Sequence, residues 1–347
     1  MRPRIVIATP LEPRLVIKIG LELPDYQVCY EPELLPPTRY EGDHRGQADF
    51  RRTDDGQRRW TEMLQEADVT FGIPGDDPDQ LRLLVRGSEN LRFVQATAAG
   101  AGQQVEAAGL SEDELARVAI ATSSGVHAGP LAEFALLGIL AFARGLPRLQ
   151  DDRAAHRWSR YPTRDVAERT VVILGIGAIG SHIAQLAKAF GMHVIGVNSR
   201  GERPDAPVDE YYASDRLAEL APRADALVIT LPETPDTVSM VDARVLSALP
   251  AGAIVVNIGR GRVVDEDALV ELLRAGRLAG AALDVTTKEP PAPDSPLWDL
   301  PNVILSPHTA ALSIHENERI TELFIDNVHR LDSGRPVRNR ITPAKRY

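Results

Sequence analysis

From Thr170 to Ser306 one pattern recurs. Thr170–Leu174, His193–Val197, Ala226–Thr230, Ala253–Ile258, Gly280–Val285 and Val303–Ser306 are runs of apolar or small residues, separated by helical or connecting segments. A strand that is apolar along its whole length offers no face to water. Such strands alternating with helices require a parallel sheet covered on both sides. The expected class is α/β, with a doubly wound parallel sheet.

Upstream, residues 1–121 hold shorter apolar runs at Ile5–Ala8, Tyr26–Tyr30, Val69–Gly72, Arg92–Gln95 and Val118–Ala121. Helix-like segments between some of them predict a second, smaller α/β layer. Pro36–Gln57 is polar and turn-rich and reads as a long surface loop. The stretch "PLAEFALLGILAFARG", Pro130–Gly145, is a helix apolar on nearly every side and is expected to be buried. The arginine-rich "RLQDDRAAHRWSRYPTR" that follows reads as a solvated helix and connector, and His315–Leu331 as an amphipathic helix ended by Gly334. A length of 347 residues accommodates two domains.

Composition narrows the class of function. A net charge of −10 disfavours a nucleic-acid or anionic-membrane partner. The one cysteine, Cys29, excludes an internal disulfide and fits a reducing compartment, so a cytoplasmic location is expected. No Cys/His spacing predicts a metal site. Glu12 and Pro13 interrupt the basic, apolar N-terminus, which therefore reads as a first strand rather than a signal peptide. The longest apolar stretch, Leu131–Ala143, contains Glu133 and is too short to span a bilayer.

"TVVILGIGAIGSHIAQLAKAFG" sets Gly175, Gly177 and Gly180 between a buried strand and a helix, with Ala178 and Ile179 at the helix start. A lone G-x-G-x-x-G is weak, but this one has the strand before it, the helix after it and a second strand at His193. The first glycine permits a tight turn, the second lets a pyrophosphate approach the backbone, and the third lets helix pack on strand. Unpaired N–H groups and the positive dipole end at the helix start complete a phosphate site. Where a ribose-binding acid is usual, 18 residues beyond Gly180, the chain has Asn198-Ser199-Arg200. An absent carboxylate and a nearby cation suit a 2′-phosphate, so the cofactor is predicted to be NADP or NAD with NADP preferred.

Ligands of open parallel sheets bind beyond the carboxyl ends of the strands. Three polar groups stand there: Arg260 after Ala253–Ile258, Glu289 in "LDVTTKEPP", and His308 in "VILSPHTA". Singly they read as a surface cation, a loop charge and a helix-capping imidazole. Together they fit hydride chemistry on an oxoacid. A guanidinium fork fixes a carboxylate, an imidazole moves a proton near neutral pH, and a carboxylate on its other nitrogen sets the tautomer.

These stretches carry a resemblance. "LGIGAIG", "LPETPDT", "VVNIGRGRVVDEDAL", "GAALDVTTKEP" and "LSPHTA" resemble, in order and spacing, the motifs of the D-isomer-specific 2-hydroxyacid dehydrogenases, from about Leu91 to Gly334. The resemblance implies an NAD(P)-dependent oxidoreductase of the glyoxylate/hydroxypyruvate reductase or phosphoglycerate dehydrogenase kind, without the regulatory domain of many of the latter. It assigns the substrate carboxylate to Arg260, the general acid/base to His308 and its partner to Glu289. It places Leu231, Pro232, Thr237, Ile258 and Asp284 around the cofactor. The loop "ATAAGAG" would offer the backbone N–H groups of Ala99 and Gly100 to the substrate. It further implies a flavodoxin-like substrate domain, residues 1–121 and 312–347, into which a Rossmann-type dinucleotide domain, 122–311, is inserted. A homodimer is expected with the Pro130–Gly145 helix in its interface. Arg262 has no implied role.

Two departures bear on the substrate. Thr286 stands where relatives often carry an aromatic residue, and Ile73-Pro74-Gly75 where many carry polar ones. Formate dehydrogenases share the fold, but they carry a glutamine at the place of Glu289. Transcriptional corepressors of the superfamily, which sense the dinucleotide, are the non-enzymatic alternative.

Overall fold

The computed structural model describes residues 2–199, 201–203 and 205–342. The chain divides into two compact units, residues up to 127 together with those from 312 onward, and residues 128–311. The first division lies six residues beyond the expected 121/122. Residues 122–127 are held by the first unit: Thr122 donates its backbone N–H to Asn339, Ser123 donates to Ala98, and His127 bonds Glu316 at 3.0 Å.

In the first unit, β1 (Arg4–Ile7), β2 (Gln27–Cys29), β3 (Val69–Phe71), β4 (Phe93–Gln95) and β5 (Ala119–Ala121) form a parallel sheet of order β2-β1-β3-β4-β5. That is the flavodoxin-like order. The helices Pro13–Glu22 and Glu316–Asp332 cover one face. Ile320, Phe324 and Val328 recur at helical spacing on the latter, each fully buried, and Phe324 meets the Phe71 ring edge-on at 5.3 Å. This apolar stripe is why the end of the chain returns to the first sheet.

The expected loop Pro36–Gln57 ends earlier, because a helix starts at Asp54, capped by Thr53 Oγ1 accepting from the Gly56 N–H. The loop before it is internally tied. Buried Asp43 accepts from the Arg39 backbone and guanidinium and from the Gly46 N–H, and the Arg39 guanidinium holds the Asp43 carboxyl well below the usual carboxylate range. His44 adds two ties, its carbonyl accepting from Thr9 at 2.7 Å and its ring bonding Asn317 at 2.7 Å.

The second unit contains β6 (Thr170–Leu174), β7 (His193–Val197), β8 (Glu210–Tyr212), β9 (Ala226–Ile229), β10 (Ile254–Asn257), β11 (Gly280–Leu283) and β12 (Val303–Leu305). All are parallel, in the order β12-β11-β10-β9-β6-β7-β8. The strand order reverses at β6/β9, the switch point of a Rossmann-type sheet. Strand β8 was not legible as a strand: three half-buried residues at the sheet edge carry no apolar run. The helix Ala128–Ala143 lies on β10 and β11, where a Cβ on Gly138 would stand 2.5 Å from that of Ala282. Only its inner faces are buried. Leu137 remains 52% exposed, contrary to the expected burial all round, because a helix on a sheet has an outer side.

Candidate active site

The glycine turn after β6 has three glycines in three situations. Gly175 has φ +102°, open to glycine at little cost, and a Cβ there would lie 2.6 Å from Thr230 Oγ1. A Cβ on Gly180 would lie 2.1 Å from the Gly175 carbonyl oxygen, so helix and strand close only on a hydrogen. At Gly177 a Cβ would meet nothing within 4 Å. Neither backbone torsion nor protein packing requires glycine there, and the open space above the start of the helix Ala178–Ala189 fits a phosphate cradle. Ala178 is exposed and Ile179 half-buried at that helix start.

Asn198 follows β7, and its amide donates to the Gly201 carbonyl at 2.8 Å while Ser199 is exposed. Arg200, on which the cation argument for NADP turned, lies outside the described residues. The loop after β9 is stapled by Thr237, whose hydroxyl donates to the Pro232 carbonyl at 2.7 Å and accepts from the Thr234 N–H at 2.8 Å. Leu231 in that loop backs onto the turn after β10, since a Cβ on Gly259 would meet the Leu231 carbonyl oxygen at 2.5 Å.

Arg260 leaves β10 between two glycines. On one side Gly259 clears Leu231; on the other, a Cβ on Gly261 would sit 2.0 Å from the Thr286 carbonyl oxygen. The Gly-Arg-Gly sequence thus threads an extended residue between two neighbouring strand ends, and only glycines fit the passage. Asn257, the one polar residue of its strand, fixes the turn: it accepts from the Gly259 N–H and donates to the Arg260 carbonyl, both at 3.1 Å. The half-buried Arg260 guanidinium donates to the Gly259 carbonyl at 2.7 Å and has no acidic partner among the described residues. Arg262 is exposed and pairs with Glu233 at 2.8 Å, a surface ion pair. Ile258 is core, 4% exposed.

His308 Nδ1 lies 2.8 Å from Glu289 Oε2, with the two side chains 46% and 40% exposed. Glu289 Oε1 also accepts the Thr286 N–H at 3.3 Å. His308 has φ +55°, a left-handed conformation that costs a non-glycine residue roughly 1–2 kcal/mol. Asp284 holds it there. This carboxylate, 2% exposed, accepts from Ser306 Oγ at 2.7 Å and from the Thr309 and Ala310 N–H groups at 2.9 Å, while its carbonyl accepts the His308 N–H at 3.0 Å. The structural task of Asp284 is to organise the turn that presents His308.

Arg260, Glu289, His308, Asp284 and the glycine turn all belong to the second unit and follow the carboxyl ends of its strands. Ala99 and Gly100 belong to the first unit, in the turn between β4 and the helix Gly102–Ala108. Asn257 is the site residue whose role the sequence did not disclose; its signal was an amide inside an otherwise apolar strand. Among the described residues no cluster of three His, Cys, Asp or Glu could hold a metal, and no single helix is long and apolar enough to cross a membrane.

A switch-point glycine turn, an arginine between glycines and a carboxylate-bound histidine on one sheet edge define a dinucleotide-dependent oxidoreductase unit. Comparison with known proteins agrees. Residues 136–310 match the D-isomer specific 2-hydroxyacid dehydrogenase, NAD binding domain. Glyoxylate/hydroxypyruvate reductase B of Pectobacterium carotovorum is 36% identical over 219 residues, 61% of this chain and 68% of that protein. D-3-phosphoglycerate dehydrogenase of Archaeoglobus fulgidus is 28% identical over 260 residues, 74% of this chain but 48% of that protein, so the chain spans about half of that relative. The crystal structure of a D-isomer specific 2-hydroxyacid dehydrogenase from Xanthobacter autotrophicus Py2, in complex with NADPH and MES, superposes with a TM-score of 0.74 at 25% identity over 99% of both chains. The chain belongs to the D-isomer specific 2-hydroxyacid dehydrogenases, NAD(P)-dependent oxidoreductases acting on CH–OH groups.

Proposed function

We propose that this chain reduces a small 2-oxoacid to the D-2-hydroxyacid, and catalyses the reverse oxidation, with NADP(H) preferred over NAD(H). The observation that carries the reading is the 2.8 Å His308–Glu289 contact on the sheet edge that also bears Arg260. The nicotinamide, when bound, supplies or accepts the hydride. The chain's residues do the rest. The Arg260 guanidinium takes the substrate carboxylate in a two-point fork and fixes which face of the carbonyl is presented. Glu289 accepts from Nδ1 of His308, so Nε2 is the atom that gives a proton to the carbonyl oxygen in reduction and takes it from the hydroxyl in oxidation. Gly177 and the helix start receive the pyrophosphate, and Leu231, Pro232 and Thr237 flank the dinucleotide.

Similarity to the Pectobacterium reductase favours glyoxylate or hydroxypyruvate as substrate. The NADP preference is supported by Asn198, which has no charge to repel a 2′-phosphate, and by the NADPH in the Xanthobacter relative. A homodimer through the outer side of the helix Ala128–Ala143 is supported by the exposure of Leu137 there. The test is His308→Gln. It should fold and bind NADPH more tightly than NADH, yet lose about 10²–10⁴-fold in turnover. Full turnover in that variant removes His308 from the reaction, and tighter NADH binding by the parent overturns the cofactor preference.

A further inference from the structure

The His308 side chain is half-exposed, and among the described residues its ring has one hydrogen-bond partner, Glu289. Packing therefore does little to aim the imidazole. Its direction depends on the backbone turn that carries it, and that turn is strained at His308 itself, where φ is +55°. A strained residue keeps its conformation only while the groups around it over-determine it.

The sequence around His308 shows which groups do so. Pro307 fixes its own φ and keeps Ser306 extended, but it has no N–H to contribute. The ties to buried Asp284 therefore come from either side of the Pro307-His308 pair. Beyond it, Thr309 and Ala310 donate their backbone N–H groups to Asp284 Oδ1, both at 2.9 Å. Before it, Ser306 donates its hydroxyl to the same oxygen at 2.7 Å, the one side chain to do so among the described residues. That hydroxyl oxygen also accepts the Thr309 N–H at 3.4 Å, so it bridges the chain across His308. The Ser306 N–H is bonded to the Leu283 carbonyl at 2.8 Å, which anchors the bridge to the end of β11. Burial of the carboxylate strengthens each of these bonds relative to water.

We infer that Ser306 is a positioning residue for the proton transfer. Through Asp284 and Thr309 its hydroxyl holds the strained turn, so that Nδ1 of His308 stays on Glu289 and Nε2 stays free for the substrate. Ser306 acts only through His308, and the inference rests on the proposed role of that residue as general acid/base. Alanine at 306 leaves the Asp284 oxygen with two backbone donors and lets the turn relax. Threonine keeps the hydroxyl, and its branched side chain suits an extended residue.

Ser306→Ala, Ser306→Thr and His308→Gln are compared with the parent chain, with glyoxylate and NADPH as the probes. Ser306→Ala should lower kcat about 10- to 100-fold, while KM for glyoxylate and Kd for NADPH stay within about two-fold. Ser306→Thr should restore kcat to within about three-fold of the parent. A second readout needs no substrate: long-range ¹H–¹⁵N NMR of the ligand-free chain, with the His308 signal assigned by its loss in His308→Gln. The neutral ring of the parent should carry its proton on Nδ1, and Ser306→Ala should move a measurable share of it to Nε2. Parent-like kcat in Ser306→Ala beside a slow His308→Gln overturns this inference and leaves the role of His308 standing. Full turnover in His308→Gln overturns both. A fall in NADPH affinity that matches the fall in kcat would place Ser306 with the dinucleotide instead. That result, a Ser306→Thr as slow as Ser306→Ala, or an unchanged tautomer in Ser306→Ala would each overturn the inference.

Discussion

In the proposed reading substrate placement depends on Arg260, and its surroundings explain why lysine would not replace it. Gly259 and Gly261 let the backbone pass between the Leu231 and Thr286 carbonyls, and Asn257 fixes the turn from both sides. The guanidinium therefore leaves a rigid base, and in the proposed reading its planar fork would carry that geometry to the substrate carboxylate. Lysine keeps the charge and loses the fork. Arg260→Lys should raise KM and lower kcat together, by about ten-fold or more in kcat/KM. Steady-state kinetics on an accepted oxoacid check this, and unaltered parameters would take Arg260 out of the site. The candidate residues were legible because each is a polar group at the end of a buried strand. The residues that hold them were not. Asp284 serves Ser306, Thr309 and Ala310, more than twenty positions on, and nothing local in the sequence marks such a bond.

At the scale of elements, the apolar runs located eleven of the twelve strands among the described residues, most directly the interior ones, where burial on both faces leaves a trace in composition. Strand β8 left none. It lies at the edge of its sheet, and its polar contacts take the place of burial: Glu210 meets Arg223, accepts from Tyr212 at 2.6 Å and bonds His193 at 2.7 Å. The Arg223 guanidinium above all, then Tyr212 and His193, lowers the Glu210 carboxyl from 4.5 to about 2. A carboxyl that is more acidic when folded stabilises the fold fully above its unfolded value and loses that contribution as pH falls through its folded one. Glu210→Gln should consequently lower the melting temperature at pH 6, with the gap to the parent narrowing between about pH 4.5 and pH 2. A gap of constant size from pH 6 to pH 2 would show that the charge contributes nothing to the edge strand. The loop at 36–53 makes the same point. It read as polar surface, yet Asp43 is buried within it, because its partners Arg39 and Gly46 tie the loop from inside.

For the whole molecule, the return of the last helix to the first sheet was implied only by family resemblance. Periodicity showed an amphipathic helix at the end of the chain but not which sheet would accept its Ile320-Phe324-Val328 stripe. The fold alone also leaves the chemistry open, since a dehydrogenase, a formate-oxidising relative and a dinucleotide sensor share it. In the proposed reading, Glu289 beside His308 sets the chain apart from the formate-oxidising relatives, and only turnover sets it apart from a sensor. Formate oxidation needs no proton acceptor, and a sensor needs no turnover. The decisive measurement is oxidation of NADPH and NADH by this chain against glyoxylate, hydroxypyruvate and larger 2-oxoacids, with formate plus NADP as control. The expected result is oxoacid-dependent oxidation, faster with NADPH, silent with formate and reduced by about 10²-fold or more in His308→Gln. Tight dinucleotide binding without turnover of any oxoacid would contradict it.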